Sequence, residues 1–494
     1  MSRFRSLFLC AVALIAFVFS AGSIHGQTAT SLRGSVTDQS GGVVSGAKIT
    51  LTNTGTRISR TTNSASDGAY VFDPVAVGTY SVTVEKSGFA KYVQSGIVLE
   101  LNQNGRLDVN LKIGSGSETV EVKGNVVQVD TTGAVLGKVE DQRMIQDLPL
   151  LDRNTLQLGL LQAGVFSPDP DDGSKNPFSV SGQRSESLTF LLDGANNTNF
   201  LNNNIIASPN PDAVQEFKIL TNNYDAQYGR TSGGIVNQIT KSGTNSYHGD
   251  LFEFLRNDVL NAKDFFLPQG EPKQNFKRNV FGGTIGGPVK KDKTFFFAAY
   301  QGTRRREGQN SGLLDVLSDP ERTGDFGELC SAYSGGGDCT DPNGTQLINP
   351  TTGNNIPFNN LATAGLVNPV IQNYINKYLP HANVGTNQFI SFPTAKIDED
   401  QGVVHLDHNL TSRDTLSFVY IIDDLRDAYP FLINKGASTG GNVPLGSGFS
   451  DSIRTQVGSF TWVHTFSGGK VNEFRFAANR SANLIDVPAD TTSP

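Results

Sequence analysis

The C-terminal half of this sequence repeats one pattern, in which apolar and polar residues alternate over about ten positions, turn sharply and alternate again. After a tight turn at 411–414, the residues Leu416, Phe418, Tyr420 and Ile422 recur at every second position. Because strand side chains point alternately to opposite faces, this spacing predicts antiparallel hairpins with one apolar face. A soluble β-sandwich or a propeller shows the same pattern hairpin by hairpin, so other features of the chain must decide between these folds.

Two further hairpins follow the same scheme, at 280–302 and around Ser467–Lys470. The second is predicted to direct a set of aromatic side chains outward, namely Phe460, Trp462, Phe474 and Phe476. Between Gly302 and Lys396 lies a long polar insertion, so the connections are short at one end of the strands and long at the other. Aromatic bands with this loop asymmetry favour an outer-membrane β-barrel over the soluble alternatives.

The first 26 residues have the make-up of a secretory signal peptide. Arg3 and Arg5 precede an apolar run from Leu7 to Phe19, and small residues follow it. This arrangement predicts export, with cleavage between Ala21 and Gln27. No later stretch reaches the roughly 20 apolar residues of a spanning helix. If the exported chain crosses a membrane, it must therefore do so as a closed barrel, which satisfies every backbone polar group in lipid.

Charge and composition exclude several functions. The chain of 494 residues has a formal charge of −7 and only 18% charged residues. A nucleic-acid partner is not expected, since phosphate binding needs clustered Lys and Arg. The one tight basic cluster, Arg304–Arg306, is interpreted as a solvated or headgroup-facing strand end rather than a binding patch.

Neither catalytic nor metal-binding motifs are found. His405 and His408 are three positions apart and would face opposite sides of a strand, whereas His405 and Asp407 would share the lumen face. The acidic stretch Asp169–Asp172 lacks the distal Glu of a calcium loop. There is no nucleophile motif, zinc-protease motif or phosphate loop. The sequence thus predicts a protein that is not an enzyme and has no cofactor and no metal.

Two cysteines remain after signal cleavage, because Cys10 lies inside the apolar run. Cys330 and Cys339 flank a short glycine-rich spacer that allows the two thiols to meet. In an oxidising compartment this predicts a disulfide. The alternative is a metal site, but no nearby His or third Cys completes one.

Residues 28–113 are predicted to form a small β-sandwich, because short alternating segments are separated by Gly, Asp and Ser turns. The stretch resembles the carboxypeptidase regulatory-like family. The segments that carry this resemblance are Gly34–Asp38, Val44–Ile49, Asp67–Phe72, Gly78–Val84 and Ser87–Phe89. The resemblance implies a transthyretin-like, carbohydrate-binding-like fold without peptidase activity. Sugar binding and a purely stabilising or spacer role both remain open.

Residues 127–244 mix short helical and short strand patterns and are predicted to form a compact α+β domain. Glycines near its end do not have the spacing of a phosphate loop. This region resembles the plug domain of TonB-dependent outer-membrane receptors. The matching plug signature is Asp193, Gly194, Tyr228, Gly229, Gly233, Gly234, Asn237 and Lys241. The resemblance implies that the three later glycines allow tight backbone packing inside a barrel lumen, and that Phe252 and Phe254 of the first barrel strand face lipid.

The linker at 114–126 contains a short extended segment at the position where this family has its TonB box. The candidate residues are Glu118, Thr119, Val120, Glu121 and Val122. Such a segment pairs with the inner-membrane TonB complex by strand addition, which uses an exposed backbone edge. The other interpretation is an ordinary last strand of the sandwich.

The order of segments resembles the Oar-like branch of these receptors. The expected fold is mainly β: signal peptide, transthyretin-like sandwich, α+β plug and an incomplete transmembrane antiparallel barrel at 245–494. Expected partners are the TonB complex, outer-membrane lipids and an unidentified extracellular ligand, carbohydrate or peptide. The expected location is the outer membrane of a Gram-negative bacterium, with the sandwich and the plug termini toward the periplasm. The main functional hypothesis is energised uptake of a scarce or large ligand; the alternative is a surface glycan-binding or adhesion protein that the barrel only anchors.

The number of strands also leads to an expectation about length. Alternation predicts roughly seven strands after Tyr247, whereas a plugged receptor barrel needs about 22. The open strand edges of such a partial barrel would be unsatisfied in lipid. The sequence is therefore expected to be the N-terminal part of a longer protein.

Overall fold

The computed structural model describes residues 30–486, except 115–118, 124–135, 151, 168–177, 223, 225–227, 230, 264, 266–272, 310–312, 391, 430–448 and 468–469. The signal peptide, Glu118 and the Asp169–Asp172 cluster lie outside the described residues. None of the helices in the described part of the chain combines the length and the apolar content that a membrane-spanning helix needs.

The N-terminal domain is a sandwich of two sheets. Its strands are β1 (Thr30–Asp38), β2 (Lys48–Asn53), β3 (Ser59–Asn63), β4 (Ala69–Val75), β5 (Gly78–Glu85), β6 (Lys91–Leu99), β7 (Asn104–Arg106), β8 (Val109–Leu111) and β9 (Thr119–Lys123). One sheet has the order β4-β1-β7, with β8 also paired to β1, and the other has the order β3-β2-β5-β6-β9.

Alternation along the strands builds the core between these two sheets. Tyr80, Val82 and Val84 of β5 are all buried, as the sequence pattern predicts. They pack with Leu32 from the first sheet and Ile49 from the second in one apolar cluster. The sandwich does not end at residue 113, however, because β9 runs parallel to β6 as the last strand of its sheet.

The second domain is a small α+β unit, which we call the plug. Its elements are β10 (Leu136–Asp141), α1 (Gln142–Asp147), β11 (Val165–Phe166), β12 (Ser179–Val180), β13 (Leu188–Leu192), β14 (Ala195–Asn196), β15 (Val214–Asn222) and β16 (Gly234–Thr240), with 3₁₀ turns at Thr155–Leu161, Ser185–Ser187 and Pro211–Ala213. The main sheet has the order β10-β15-β16-β13-β14. Only β13 and β16 are parallel within it.

Local sequence sets the bounds of α1. The Asp141 side chain accepts a hydrogen bond from the Met144 amide at 2.9 Å and caps the first turn. The helix ends at Asp147, and Leu148 is extended because the residue before a proline, here Pro149, disfavours the α region. Helical structure resumes after Pro149 as the 3₁₀ turn Thr155–Leu161.

The C-terminal half forms one seven-stranded antiparallel sheet, in the order β17-β18-β19-β22-β23-β24-β25, which we call the barrel wall. Its strands are β17 (His248–Asn257), β18 (Phe276–Lys290), β19 (Thr294–Gly308), β22 (Thr394–Asn409), β23 (Asp414–Tyr429), β24 (Phe449–Ser467) and β25 (Lys470–Asp486), with a 3₁₀ turn at Asp258–Leu260. A transmembrane strand needs about 9–11 residues. The longest strand, β24, has 19 residues and therefore extends well beyond that length.

The two faces of the barrel wall differ as the alternation predicts. Phe418, Trp462, Phe474 and Phe476 are exposed on the outer face. The inner face is buried against the plug through Phe297, Ala299, Val403, Val419, Ile421 and Val457. The wall thus has an apolar outer surface and a plug-covered inner one.

The first wall strand differs from its expected orientation. Phe252 and Phe254 do not face outward, because the guanidinium carbon of Arg153, a plug residue, lies 4.4 Å from each ring centroid. Leu251 and Leu255 are instead exposed on the opposite face of β17. The prediction that the two phenylalanines face lipid was therefore wrong: they lie on the plug-facing side of β17.

The insertion between β19 and β22 has its own small fold. It contains β20 (Leu314–Asp315), α2 (Asp319–Arg322), α3 (Pro369–Tyr378) and β21 (Gln388–Phe389), with 3₁₀ turns at Gly327–Leu329 and Pro357–Asn359. Cys330 and Cys339 form a disulfide with an S–S distance of 1.98 Å. The insertion lies opposite the short β18–β19, β22–β23 and β24–β25 turns, so the wall has one short-turn end and one long-loop end.

Candidate functional site

The plug is attached to the inner face of the barrel wall by both apolar and polar contacts. Leu192, Ala207 and Ala213 of the plug pack in one cluster with the inward side chains of the wall. Around this apolar centre, several hydrogen-bonded side chains join the two parts. Because buried polar groups must keep their partners, these polar contacts fix where the plug sits.

One polar chain begins at the Asp193–Gly194 turn of the plug signature. The Asp193 carboxylate accepts hydrogen bonds from the amide and the hydroxyl of Thr240, both at 2.9 Å. The Thr240 hydroxyl lies 2.9 Å from Nδ1 of His405 on the wall. Burial raises the pKa of Asp193, and the nearby His405 opposes that shift.

The same chain continues along the wall. His405 Nε2 lies 3.0 Å from the Ser417 hydroxyl and 3.3 Å from a carboxylate oxygen of Asp407. His405 and Asp407 therefore share the inner face, as the sequence indicates. The Ser242 hydroxyl donates to Asp407 from the segment that links plug and wall. The plug, the segment at Ser242 and the barrel wall are thus joined through His405 and the carboxylates of Asp193 and Asp407.

A second attachment is centred on Arg153, which sequence reasoning did not identify. Its guanidinium pairs with Asp212 inside the plug and donates to the Gln301 side chain of the wall at 3.1 Å. The rings of Phe252 and Phe254 cover it, which is a cation–π arrangement. Burial raises the pKa of Asp212 and lowers the pKa of Arg153, and each charge opposes the shift of the other.

The signature glycines have different surroundings. A Cβ on Gly233 would lie 2.5 Å from the Ser187 carbonyl oxygen, so only glycine fits there. Gly194 has φ of +75° and lies against the Arg475 guanidinium of the wall. At Gly234 a Cβ would lie 3.1 Å from the Leu220 carbonyl oxygen, a tight contact. At Gly229, in contrast, the described residues place no heavy atom within 4 Å of a Cβ, so they show no tight packing at this position.

Three other signature residues take part in contacts between segments. Tyr228 and Asn237 are buried, and both contact Asn102 of the sandwich; the Asn237 amide donates to it at 3.0 Å. Lys241 is also buried, which lowers its pKa, while the charges of Asp212 and Asp250 oppose that shift. Part of the signature thus contacts the wall, and part contacts the sandwich.

The candidate TonB box lies on the sandwich. Its described residues, Thr119–Val122, belong to β9 and pair in parallel register with β6, from Lys91↔Thr119 to Gln94↔Val122. In the order of the sheet β9 is terminal, so its second edge has no strand partner among the described residues. This position is compatible with a TonB box and with an ordinary last strand of the sandwich, since a last strand also presents a backbone edge.

Glu216 was also missed by sequence reasoning, and its environment predicts a pH dependence. It is buried where the sandwich meets the plug, and burial raises its pKa to about 7 from 4.5. The charges of Glu100 and Asp141 add to the increase, while the Leu101 amide and Lys218 oppose it. A raised pKa means that docking is favoured by the protonated acid, so this contribution is present below pH 4.5 and is lost as the pH rises through about 7.

We therefore expect the sandwich to dock more tightly at about pH 5.5 than at about pH 8. The measurement is amide hydrogen exchange at Leu101, expressed relative to its intrinsic rate at each pH. Glu216→Gln keeps the acceptor but does not titrate, and should remove the difference. Equal protection of the wild type at both pH values would contradict the prediction.

Metal ligation has no support in the described residues. Within these ranges no group of three or more His, Cys, Asp or Glu side chains is arranged to hold a metal ion. The polar groups at the plug boundaries are instead bonded to one another. These contacts provide attachment between parts of the chain.

Comparison with known proteins agrees with this architecture. A family model described as "Outer membrane beta barrel domain" matches residues 239–494, and one described as "Carboxypeptidase regulatory-like domain" matches residues 31–112. The TonB-dependent transporter Oar of Myxococcus xanthus is 29% identical over 314 residues, covering 61% of this chain and 29% of that protein. The chain thus spans less than a third of the length of this curated relative.

Solved structures of outer-membrane proteins are also similar to the chain. The outer membrane transporter YddB from Escherichia coli covers 67% of this chain and 37% of its own, at 10% identity and a TM-score of 0.42. The siderophore receptor PirA from Acinetobacter baumannii covers 71% and 48% respectively, at 14% identity and a TM-score of 0.35. The sequence matches confirm the resemblance to Oar-like TonB-dependent receptors.

Proposed function

This chain belongs to the outer membrane beta-barrel family, and from that premise we propose that it is a TonB-dependent receptor that takes up a scarce or large ligand. The protein resides in the outer membrane of a Gram-negative bacterium. Energy for uptake comes from the inner-membrane TonB complex, and the ligand, a carbohydrate or a peptide, binds at the long-loop end.

The observation that carries this proposal is the position of β9. The sandwich turn at Gly55 accepts a hydrogen bond from the Asn245 amide at 3.0 Å, and the Asn245 side chain contacts Asp292 in the short β18–β19 turn. Short turns face the periplasm in outer-membrane barrels. The sandwich and its edge strand therefore lie on the side from which an inner-membrane partner arrives, and an unpaired edge is what strand addition requires.

The plug contacts support the same function. A plug held by an apolar core alone would be a permanent wall component, whereas polar contacts can be exchanged for water when the plug moves. The Arg153–Asp212–Gln301 group and the Asp193–Thr240–His405 chain are of this exchangeable kind. In the proposed mechanism, pulling from the periplasm breaks these contacts and opens a path along the wall.

The proposal is tested by binding the periplasmic C-terminal domain of TonB to the whole protein. Val120→Pro and Glu121→Pro each remove one backbone donor of β9, and alternate residues of a strand direct their donors to opposite edges. We expect one of the two to weaken binding by about tenfold or more, the equivalent of about one lost hydrogen bond.

Val120→Thr is the matched control, because it keeps the amide and the β-branched shape. It should bind as the wild type does. Wild-type binding that neither proline changes would place the TonB contact elsewhere. A complete lack of binding by the wild type would contradict the proposed function.

A second candidate function, surface glycan binding, is favoured by one feature of the insertion. Phe358 has φ of 55° and is half-exposed, and its ring centroid lies 5.5 Å from that of Tyr333. The buried Asn359 holds this backbone by donating to the Thr345 carbonyl at 2.7 Å. Strained backbone that displays an aromatic face is found at functional sites. A glycan array probed with the protein, beside the TonB binding assay, distinguishes adhesion from uptake.

A further inference from the structure

The turn that follows β6 inserts into the surface of the plug. Leu101 in this turn is fully buried. Its amide donates to the Glu216 carboxylate at 2.6 Å, and its carbonyl accepts from the Lys218 ammonium at 2.9 Å. Glu216 and Lys218 are neighbours on one face of β15, so two charged side chains bind both backbone polar groups of a single sandwich residue.

The next residue extends this contact to a second plug strand. Asn102 has φ of 54°, a left-handed conformation that Asn tolerates. Its side chain accepts from Asn237 of β16 at 3.0 Å and donates to the Tyr228 hydroxyl, and its carbonyl accepts from Lys218 at 3.3 Å. We call Leu101, Asn102 and their four plug partners the seam. It joins the sandwich to β15 and β16, two adjacent strands of the plug sheet.

A separate turn joins the sandwich to the barrel wall. The Asn245 side chain donates to the Thr56 carbonyl at 2.7 Å and also to Asp292 at 2.7 Å. Asp292 in turn donates its amide to Asn245 at 2.8 Å. The sandwich therefore bridges the plug sheet, through the seam, and the periplasmic rim of the wall, through Asn245.

The seam is mechanically continuous with β9. The strand β6 pairs with β9 over five register positions, from Lys91↔Thr119 to Ser95↔Lys123, and then runs on through Leu99 into the seam. A pull along the axis of β9 loads the hydrogen bonds of this ladder together rather than one at a time. The seam, which consists of a few polar contacts, would then yield before the ladder does.

We propose that the sandwich is a coupling clasp: it holds the plug to the barrel rim, and a pull on β9 reaches β15 and β16 through β6 and the seam. The identity of the partner that pulls rests on the proposed function. The clasp itself rests only on the contacts within this chain. Polar contacts suit such a clasp because domain interfaces of this kind separate and reform readily.

The first test measures docking by hydrogen exchange at residues 100–103 in the full chain. Lys218→Met removes the ammonium but keeps an apolar stem, and Asn102→Gly removes the side-chain contacts while permitting the left-handed backbone. Each should accelerate exchange at 100–103 by about tenfold, as one lost hydrogen bond would. Exchange at 79–84 in the sandwich core should stay unchanged.

Lys112→Met, an exposed lysine of the same sandwich, is the matched control and should change nothing. If Lys218→Met disturbs the plug itself, Asn102→Gly still tests the seam, because Asn102 belongs to the sandwich and not to the plug. Wild-type exchange at 100–103 as fast as that of a free loop would overturn the clasp. So would variants that exchange no faster than the wild type.

The second test applies the pull directly and needs no TonB. A tether is attached through Glu121→Cys, the barrel wall is held in a membrane, and the force of the first rupture is recorded with and without Asn102→Gly. If the seam yields first, Asn102→Gly lowers this force. A first rupture that Asn102→Gly does not change would show that β9 separates from β6 first, and would overturn the coupling. Failure of the TonB assay would refute the proposed function without altering either result.

Discussion

Replacing Asp212 with alanine should destabilise the plug by about 3–5 kcal/mol, the cost of removing one partner from a buried ion pair. The Asp212 and Arg153 side chains are each only 11% exposed. Without Asp212, the Arg153 guanidinium would remain under the rings of Phe252 and Phe254 without its bonded carboxylate, with the charge of Asp250 left to oppose its burial. The penalty comes from that stranded charge rather than from the lost attraction alone.

Denaturant unfolding of the detergent-solubilised protein, followed by a plug-specific signal, measures this effect. Asp147→Ala is the control, because Asp147 also pairs with an arginine, Arg143, but the two side chains are 70% and 88% exposed. Its loss should cost no more than about 1 kcal/mol. Arg153→Met in the Asp212→Ala background should recover part of the stability, since it removes the stranded charge. Equal effects of the two single alanine substitutions would contradict the burial argument.

Gly233→Ala should also destabilise the plug strongly, by about 1–3 kcal/mol. The new Cβ would lie 2.5 Å from the Ser187 carbonyl oxygen. That oxygen already accepts the Gly233 amide at 2.9 Å and the Thr231 hydroxyl, so it cannot move away without losing both bonds. The entry of the chain into β16 would be displaced.

Gly229→Ala is the matched control, four positions earlier in the same glycine-rich stretch. A Cβ there meets none of the described atoms within 4 Å, so the substitution should be neutral or slightly stabilising. Limited proteolysis of the folded protein, with cleavage in the plug as the readout, compares the two. The packing explanation fails if both variants resist protease equally well.

The barrel wall could be predicted where alternation is clean. In β23 the aromatic residues Phe418 and Tyr420 share one parity with Leu416, whereas Val419 and Ile421 on the other parity are buried against the plug. In β17 the same rule failed: the aromatic residues Phe252 and Phe254 share one parity, but Leu251 and Leu255 on the other parity are the more exposed side chains. The alternation then contains no information about which face meets the plug; only Arg153 decides it.

The plug signature shows a different limit. Tyr228 and Asn237 were identified by resemblance, yet their contact with Asn102 joins residues more than a hundred positions apart, which no local pattern encodes. One local signal was available. Glu216 and Lys218 occupy alternate positions among the apolar residues Val214, Phe217, Ile219 and Leu220 of β15, which indicates a polar partner on that face. Their partner, the turn at Leu101–Asn102, could not be predicted, since they bind its backbone groups and every residue has such groups.

The membership of β9 in the sandwich sheet has a consequence for how this chain can be divided. The match to the carboxypeptidase regulatory-like family ends at residue 112, but the sheet is completed only at Lys123. Excision at residue 113 would leave β9 without β6 and β6 with a bare parallel edge, which invites aggregation. The transferable module is therefore 30–123, and any exchange of sandwiches between such proteins must carry the candidate TonB box, of which Thr119–Val122 lie in β9, with it. Partner recognition and sandwich identity would then be inherited together.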